Sequence, residues 1–331
     1  MKTRSKTPRK KQSCLQMLFL IILVLGLLLS ACGQPKPGQS PGDKLEVVTT
    51  IFPPYDFVRQ LGGQMLEVSM LLPPGSESHT YEPTPREVAR IASCDLFIYN
   101  GGISDSWVER LLDAAEIDRD KTVRMMDFVE LLEESHEGIL DHDHDHDDEP
   151  IPHLHEYDEH IWTSPKNALL IVSGIADRLV QADPDNARVY QDNLQDYKAR
   201  LQALDQAFQE VVDQGKRREI IVADRFPLIY FTSHYGLDYT AAFPGCAAET
   251  DPKPRTVAGI IDRVKAEAIP YIFYIEFSNE KLADLVVEET GAQKLLFHTA
   301  HNVAKEDLDK GASYLSIMEA NLENLKRGLG Q

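Results

Sequence analysis

The middle of the chain carries an apolar stripe that constrains the fold more than any other feature. Apolar side chains recur there at alternating intervals of four and three residues: Tyr190, Leu194, Tyr197, Leu201, Leu204, Phe208 and Val211. This spacing places them on one face of a helix about 45 Å long at 1.5 Å per residue. A coiled-coil dimer would use such a stripe, but we favour a long linking helix that packs across two lobes of its own chain.

Strand and helix patterns alternate on both sides of this segment. Before it, strand-like runs cover 45–52, 66–72 and 96–99, and a helix begins at Pro85 behind the N-cap residue Thr84. After it, strand patterns at 219–223, 237–242, 271–275 and 294–297 alternate with helical patterns at 254–267, 279–290 and 312–325. Such alternation is typical of parallel sheets covered by helices.

The predicted fold class is therefore α/β, with two lobes that each contain a mainly parallel sheet flanked by helices. We assign the N-terminal lobe to residues 44–182, the rigid linking helix to 183–215 and the C-terminal lobe to 216–331.

The first 31 residues have the pattern of an export signal. Six positive charges precede an apolar run over 17–29, which is too short for a comfortable membrane-spanning helix. The run ends in Leu29-Ser30-Ala31-Cys32, which resembles the lipobox of bacterial lipoproteins, where the cysteine is diacylated and becomes the new N-terminus. A generic signal peptide and an uncleaved anchor are the alternatives. We predict a lipid on Cys32 and a flexible tether over 32–43, which would hold the protein on the extracytoplasmic face of the cell membrane.

The mature protein is strongly acidic. Removing the leader, with its six positive charges and no acidic residue, takes the net charge from -19 to -25. This charge argues against nucleic acid as a partner and favours local enrichment of cations.

Two cysteines remain outside the leader and the lipidation site. Cys94 lies in a strand-like apolar pattern and Cys246 in a Pro-Gly-Cys turn. A buried free thiol is the commoner state for a residue such as Cys94, so we predict no disulfide between them.

Residues 134–157 interrupt the regular pattern with alternating aspartate and histidine. This segment is too charged to pack into a core, and we predict a mobile loop. It holds six of the eleven histidines of the chain: His136, His142, His144, His146, His153 and His155. The loop has either an accessory role in metal capture or sensing, or no role beyond that of a solvated acidic insertion.

Two further histidines stand in distinctive motifs. His79 belongs to Pro-Gly-x-x-x-His-x-Tyr-Glu-Pro-Thr-Pro, and His160 to Asp-x-His-x-Trp-x-x-Pro-x-Asn. These motifs, followed by Tyr235-Gly236-Leu237 and Ser313-Tyr314-Leu315, resemble the metal-binding lipoproteins of bacterial ABC importers that serve zinc and manganese uptake. The resemblance covers residues 44–328.

The resemblance implies a metal ion in the cleft between the lobes, with His79 and His160 as the ligands from the N-terminal lobe. It also implies a membrane permease as partner, no enzymatic activity and a monomeric protein. His-rich loops are more typical of the zinc branch of this family.

The ligands from the C-terminal lobe depart from the family pattern. Where the family commonly has histidine at a strand end, the strand register selects Asp224, whereas counting back from Tyr230-Phe231 selects Arg225. A guanidinium has no acceptor and cannot ligate, so Asp224 is the physical choice. After the last strand, the register favours His298, with His301 as an alternative ligand or positioning partner.

A set of His79, His160, His298 and Asp224 would suit Zn²⁺ better than Mn²⁺, which prefers more oxygen ligands. Glu276, at the end of the apolar strand pattern over 271–275, is a further alternate ligand or a buried structural partner.

Two other classes of function compete with metal capture. A secreted zinc hydrolase needs an open metal position and a general base, but the sequence has neither a His-Glu-x-x-His pair nor a Gly-x-Ser-x-Gly elbow. An adhesin is the second alternative, and no sequence motif encodes a host ligand.

Substitution of the lipidation residue tests the predicted anchor. We expect Cys32→Ala to move the protein from the membrane fraction to the soluble fraction, because two acyl chains supply the attachment. Fractionation followed by immunoblotting measures this distribution. Retention of the variant in the membrane fraction would instead indicate an uncleaved helix.

Overall fold

The N-terminal lobe is built on a four-stranded parallel sheet. The computed structural model describes residues 44–77, 81–134, 138–140, 157–245 and 253–331. The strands are β1 (Leu45–Thr49), β2 (Leu66–Met70), β3 (Leu96–Tyr99) and β4 (Thr122–Arg124). They pair in the order β2-β1-β3-β4, which places β1 and β3 at the centre of the sheet.

Helices cover this sheet: α1 (Phe52–Gly62), α2 (Pro85–Ser93), α3 (Ser106–Ala114) and α4 (Pro165–Ala182). The predicted start of α2 is confirmed, because Thr84 and Glu87 form a reciprocal capping box. The 18-residue helix α4 was not predicted from the sequence. Most of its apolar residues are buried, and it packs against the neighbouring helices; Pro165 at its first position was the signal that could have located it.

The C-terminal lobe repeats the architecture. Its sheet has the order β6-β5-β7-β8, with all pairs parallel. The strands are β5 (Glu219–Phe226), β6 (Asp238–Pro244), β7 (Tyr271–Tyr274) and β8 (Gln293–Leu296). The helices are α6 (Ile229–Tyr235), α7 (Pro254–Ala266), α8 (Lys281–Thr290), α9 (Lys305–Asp309) and α10 (Tyr314–Gly328). The predicted α/β class with two parallel-sheet lobes is confirmed.

The linking helix α5 runs from Ala187 to Gln214, and its apolar stripe faces the rest of the chain. Leu201 and Phe208 are fully buried, and Leu194 is half-buried. The helix packs against α1 and α4 of the first lobe and against α10 of the second. The stripe is therefore an internal spine.

A short segment before the predicted loop crosses to the second lobe. Residues 138–140, here called the strap, lie beside β6, and Ile139 forms a parallel bridge with Ala241. The amide of Leu140 donates to the carbonyl of Ala241 at 3.0 Å, and the amide of Ala241 donates to the carbonyl of Gly138 at 2.9 Å. The strap thus extends the second sheet at its edge. Part of the segment predicted as a mobile loop is paired.

Several sequence predictions fall outside the described residues, namely the leader with Cys32, His79, Cys246 and the six histidines of the loop. Cys94 is a buried free thiol, and burial raises its pKa to about 11. Of the helices in the described ranges, none has the length and apolar character needed to cross a membrane.

Truncation in the spine should destabilise the whole protein. We expect Leu201→Ala to lower the free energy of unfolding by about 2–5 kcal/mol, because it opens a cavity at a fully buried position. Gln202→Ala on the exposed side of the same turn is the control, with an expected change within about 0.5 kcal/mol. Denaturant unfolding monitored by circular dichroism measures both. A wild-type midpoint that rises with protein concentration would point instead to a stripe buried between two chains.

Candidate metal centre

His160 lies beside the carboxyl end of β3, at the edge of the first sheet. Asn100, which follows β3, donates its side-chain amide to the carbonyl of Glu159 at 2.8 Å. The Asp158 amide donates to the carbonyl of Leu132 at 2.9 Å, which fixes the chain just before the histidine. His160 is 1 % exposed and is followed by a short 3₁₀ turn over Ile161–Thr163.

Asp158 orients the ring of His160. Its Oδ1 accepts the His160 backbone amide at 2.8 Å and lies 3.1 Å from Nδ1 of the ring. Burial alone would lower the pKa of His160, but the adjacent carboxylate of Asp158, together with the charges of Glu159 and Glu134, outweighs it and leaves the pKa raised. This contact holds the proton on Nδ1 when the ring is neutral, so Nε2 carries the lone pair that a metal needs.

Two buried carboxylates support the backbone beneath His160. Glu159 accepts from the Ser104 amide at 2.8 Å, and Asp105 accepts from the amides of Asn100 and Gly101 at 2.7 and 3.0 Å. Burial raises the pKa of Asp105 to about 7. Gly102 has φ +82, and a Cβ there would lie 2.5 Å from the Glu159 side chain. Only glycine allows this turn to close on Glu159.

His301 belongs to a tight loop that follows β8 in the second lobe. Glu276, just beyond β7, holds this loop: it accepts from the Thr299 amide at 2.7 Å, the Thr299 hydroxyl at 2.5 Å and the His301 amide at 3.4 Å. Ala300 adopts φ +61, the left-handed region. A positive φ at this position is incompatible with a continued extended strand, so a count along β8 does not reach His301.

The rings of His160 and His301 meet between the lobes. Their centroids lie 5.5 Å apart at an interplanar angle of 83°. Both residues line a cavity of about 240 Å³, together with Glu77, Arg225, Glu276 and Thr299. The cavity therefore combines two imidazoles from different lobes.

Trp162 joins the two halves of this site. Its ring centroid lies 5.6 Å from that of His160 and 5.0 Å from that of His301. Its indole N–H donates to the carbonyl of Thr299 at 2.8 Å. Trp162 and Asp158 both belong to the motif around His160, but their roles were not predicted from the sequence.

The other candidate ligands lie differently. His298 is not among the residues that line the cavity; its Nδ1 accepts the Ala300 amide at 3.0 Å, and its backbone is fixed by Asn321 at 2.8 and 2.7 Å. Asp224 lines a neighbouring cavity of about 210 Å³. Burial raises the pKa of Asp224, against the opposing effects of Ser278 and Arg225.

A bulge in β5 explains the ambiguity between Asp224 and Arg225. The pairing of β5 with β6 shifts register between Val222 and Arg225. A bulge turns the side chains that follow it towards new faces, so a count along an ideal strand misplaces them. Arg225 lines both cavities, whereas Asp224 lines only the second.

No group of three or more His, Cys, Asp or Glu side chains within the described ranges is arranged to hold a metal ion. The residues that are brought together, His160 and His301 with Glu276 nearby, provide an incomplete set. Glu77, the last described residue before the gap that contains His79, also lines the cavity. Glu77 thus places the chain at the cavity wall two positions before His79.

Comparison with protein families matches residues 47–328 to the family described as ZnuA, zinc-uptake complex component A, periplasmic. This chain belongs to that family. It is 34 % identical over 312 residues to the zinc-binding lipoprotein AdcA of Streptococcus pneumoniae, covering 94 % of this chain and 60 % of AdcA. It is 32 % identical over 315 residues to the high-affinity zinc uptake system protein ZnuA of Bacillus subtilis, covering 93 % and 96 % of the two chains.

A solved structure gives the same relationship. The Zn(II)-bound ZnuA-like domain of Streptococcus pneumoniae AdcA matches with a TM-score of 0.72 and 30 % identity, covering 87 % of this chain and all of that domain. The resemblance inferred from the sequence motifs is confirmed at the level of family and fold.

Removal of the carboxylate beside His160 should change the titration of its ring. We expect the pKa of His160 to lie above the usual value of about 6.5 in the wild type and to fall in Asp158→Asn, because only the charges of Glu159 and Glu134 then oppose the effect of burial. The raised pKa of folded His160 means that its protonated form stabilises the protein below about pH 6.5, and that this contribution is lost as the pH rises through the folded value.

Nuclear magnetic resonance of the imidazole protons measures the titration in metal-free protein. Asp177→Asn, at an exposed position on α4, is the control and should leave the curve unchanged. An unaltered His160 titration in Asp158→Asn would contradict the assigned role of Asp158.

Proposed function

We propose that this chain is an extracytoplasmic lipoprotein that captures Zn²⁺ with high affinity and delivers it to the membrane permease of an ABC importer. The single observation that carries the proposal is the pair of imidazoles of His160 and His301. They line one inter-lobe cavity, and their ring centroids lie 5.5 Å apart. The family membership and the printed names of the two relatives agree with this function.

The proposed ligand set is His79, His160 and His301. His79 is included because its motif matches the family and because Glu77, two residues earlier, lines the cavity. Glu276 would hold the His301 loop in place, because both of its carboxylate oxygens accept hydrogen bonds from that loop. His298 and Asp224, which the strand registers select, would position other residues and not bind the ion. His298 accepts the amide of Ala300 in the turn before His301, and Asp224 accepts the amide of Arg225 at 2.8 Å.

A nitrogen-rich set favours zinc over manganese. Zn²⁺ binds imidazole readily in four-coordinate sites, whereas Mn²⁺ prefers a larger number of oxygen ligands. Manganese capture by the same type of transporter is the alternative. Metal analysis and X-ray absorption of protein purified without added metal would distinguish the two ions.

The partner and the location follow from the same proposal. The permease is the expected receiver of the ion, a lipid on Cys32 would keep the protein at the membrane surface, and the spine within one chain agrees with a monomer. We propose no enzymatic role. Esterase or peptidase turnover by the metal-loaded protein would overturn that statement in favour of a zinc hydrolase.

The histidines of the loop are proposed as an accessory set. Binding there would require ordering of a long polar segment, which lowers the affinity. The loop would then capture ions weakly and leave the tight site to the cleft.

Alanine substitutions test the ligand set. We expect His301→Ala to weaken Zn²⁺ binding by orders of magnitude, because a metal bond is lost from an inter-lobe site. His298→Ala should weaken binding only about 10- to 100-fold, as for a residue that positions a ligand. Competition titration against a chromophoric chelator measures both. Normal binding by His301→Ala with loss in His298→Ala would restore the strand-register assignment.

A loop deletion separates the accessory set from the cleft. Deleting residues 141–155 and replacing His136 by alanine removes the six histidines but keeps the strap that pairs with β6. One tight zinc site per chain should remain. If calorimetry finds none, the loop carries the site and the proposed cleft ligands are wrong.

A further inference from the structure

Arg225 is a largely buried cation on the wall of the proposed metal cavity. Its side chain is only 16 % exposed, and it lines the same cavity as His160 and His301. Counting back from Tyr230-Phe231 places Arg225 where the family commonly has a histidine ligand. A guanidinium cannot ligate a metal, because it has five N–H donors and no acceptor.

The hydrogen-bonding capacity of Arg225 is only partly used. Nη1 lies 3.4 Å from a carboxylate oxygen of Glu77, a long contact to a side chain that is 46 % exposed. Nε is buried and has no hydrogen-bond partner among the described residues. Buried donors are nearly always satisfied, so this unmade bond needs an explanation.

The other carboxylate that lines the cavity, that of Glu276, is engaged by the His301 loop. Both oxygens of Glu276 accept hydrogen bonds from the loop that carries His301. Asp224, the neighbour of Arg225, uses Oδ1 to accept the backbone amide and lines the second cavity. Within the described ranges, Nε of Arg225 therefore remains without an acceptor.

The cavity has room for more than a metal ion. Its volume of about 240 Å³ is several times the roughly 30 Å³ that one water occupies in the liquid. A zinc ion held by the three proposed ligands, His79, His160 and His301, would keep a fourth position open. An anion in that position would reduce the repulsion between the ion and Arg225, and the planar fork of a guanidinium matches a carboxylate in two parallel hydrogen bonds.

We infer that the cavity binds its metal ion together with a small carboxylate-type anion, bicarbonate or a short carboxylate, which bridges the open metal position and the Arg225 guanidinium. The inference rests on the proposed function and concerns the same site. The anion then takes the position of a fourth protein ligand, and Arg225 holds the anion there. The affinity for the metal therefore depends on the concentration of the anion.

Zinc titrations with and without the anion test this inference. The full chain without its leader is titrated with Zn²⁺ against a chromophoric chelator in bicarbonate-free buffer, and then after addition of bicarbonate or acetate. The chelator alone in each buffer corrects for zinc bound by the added anion. The wild-type affinity should rise about 10- to 100-fold, as expected for charge-assisted hydrogen bonds to one ligand.

Three variants sharpen the result. Arg225→Gln should lose the response to the anion, and Arg225→His should bind zinc tightly without it, because an imidazole fills the open position directly. Arg188→Gln, whose side chain is 92 % exposed in the wild type, should respond as the wild type does. Infrared difference spectra with ¹³C-labelled bicarbonate or acetate identify which anion is bound, and the labelled band should be absent in Arg225→Gln.

The outcomes separate the two proposals. Tight zinc binding that is indifferent to both anions, or an unchanged response in Arg225→Gln, overturns the bridging anion and leaves the proposed function standing. Failure of the wild type to bind zinc tightly in any of the buffers overturns the proposed function itself.

Discussion

The buried indole of Trp162 fixes the distance between the two halves of the candidate site. It contacts the rings of His160 and His301, and its N–H is bonded to the loop of the second lobe at Thr299. Its own carbonyl accepts the hydroxyl of Tyr314 at 2.8 Å, at the start of α10. One side chain thus couples the position of a first-lobe histidine to a second-lobe turn. Any movement of the lobes apart must break these bonds together, which makes the cavity a property of the joined lobes.

Parallel sheet topology explains why the chemistry gathers at this point. The loops after parallel strands leave the sheet at its carboxyl edge, and the side chains of both lobes arise from such loops. Asn100 follows β3, Glu276 follows β7, and His301 lies five residues beyond β8. Because α5 and Trp162 hold the two edges face to face, residues distant in sequence line one cavity.

The sequence could predict the architecture because periodic patterns report directly on strands and helices. The stripe through Leu201 and Phe208 located the spine, and the capping pair Thr84 and Glu87 located α2. The helix α4 was missed because its buried surface is broad and lacks a single clear stripe. His160 could be selected from its motif alone, since the Asp158 contact is local in sequence.

The second half of the site was harder to predict because two backbone irregularities redirect its side chains. The bulge in β5 falls between Val222 and Arg225, where a count along an ideal strand loses register, and the left-handed Ala300 precedes His301, which lines the cavity. Neither the bulge nor the left-handed residue is a glycine or proline position, so the sequence carries no local signal for either. Each is enforced by long-range contacts, such as those of Glu276 with the His301 loop, which no local pattern contains.

The strap over 138–140 also has a consequence for the solubility of the protein. β6 is the outermost strand of the second sheet, and its free backbone groups would otherwise offer a template for pairing with another chain. The strap covers part of that edge, and Tyr239 leaves no space for a side chain at Gly138. A shortened protein that lacks the strap would therefore expose a ready edge for intermolecular β-pairing, and its aggregation could be mistaken for a loss of metal binding.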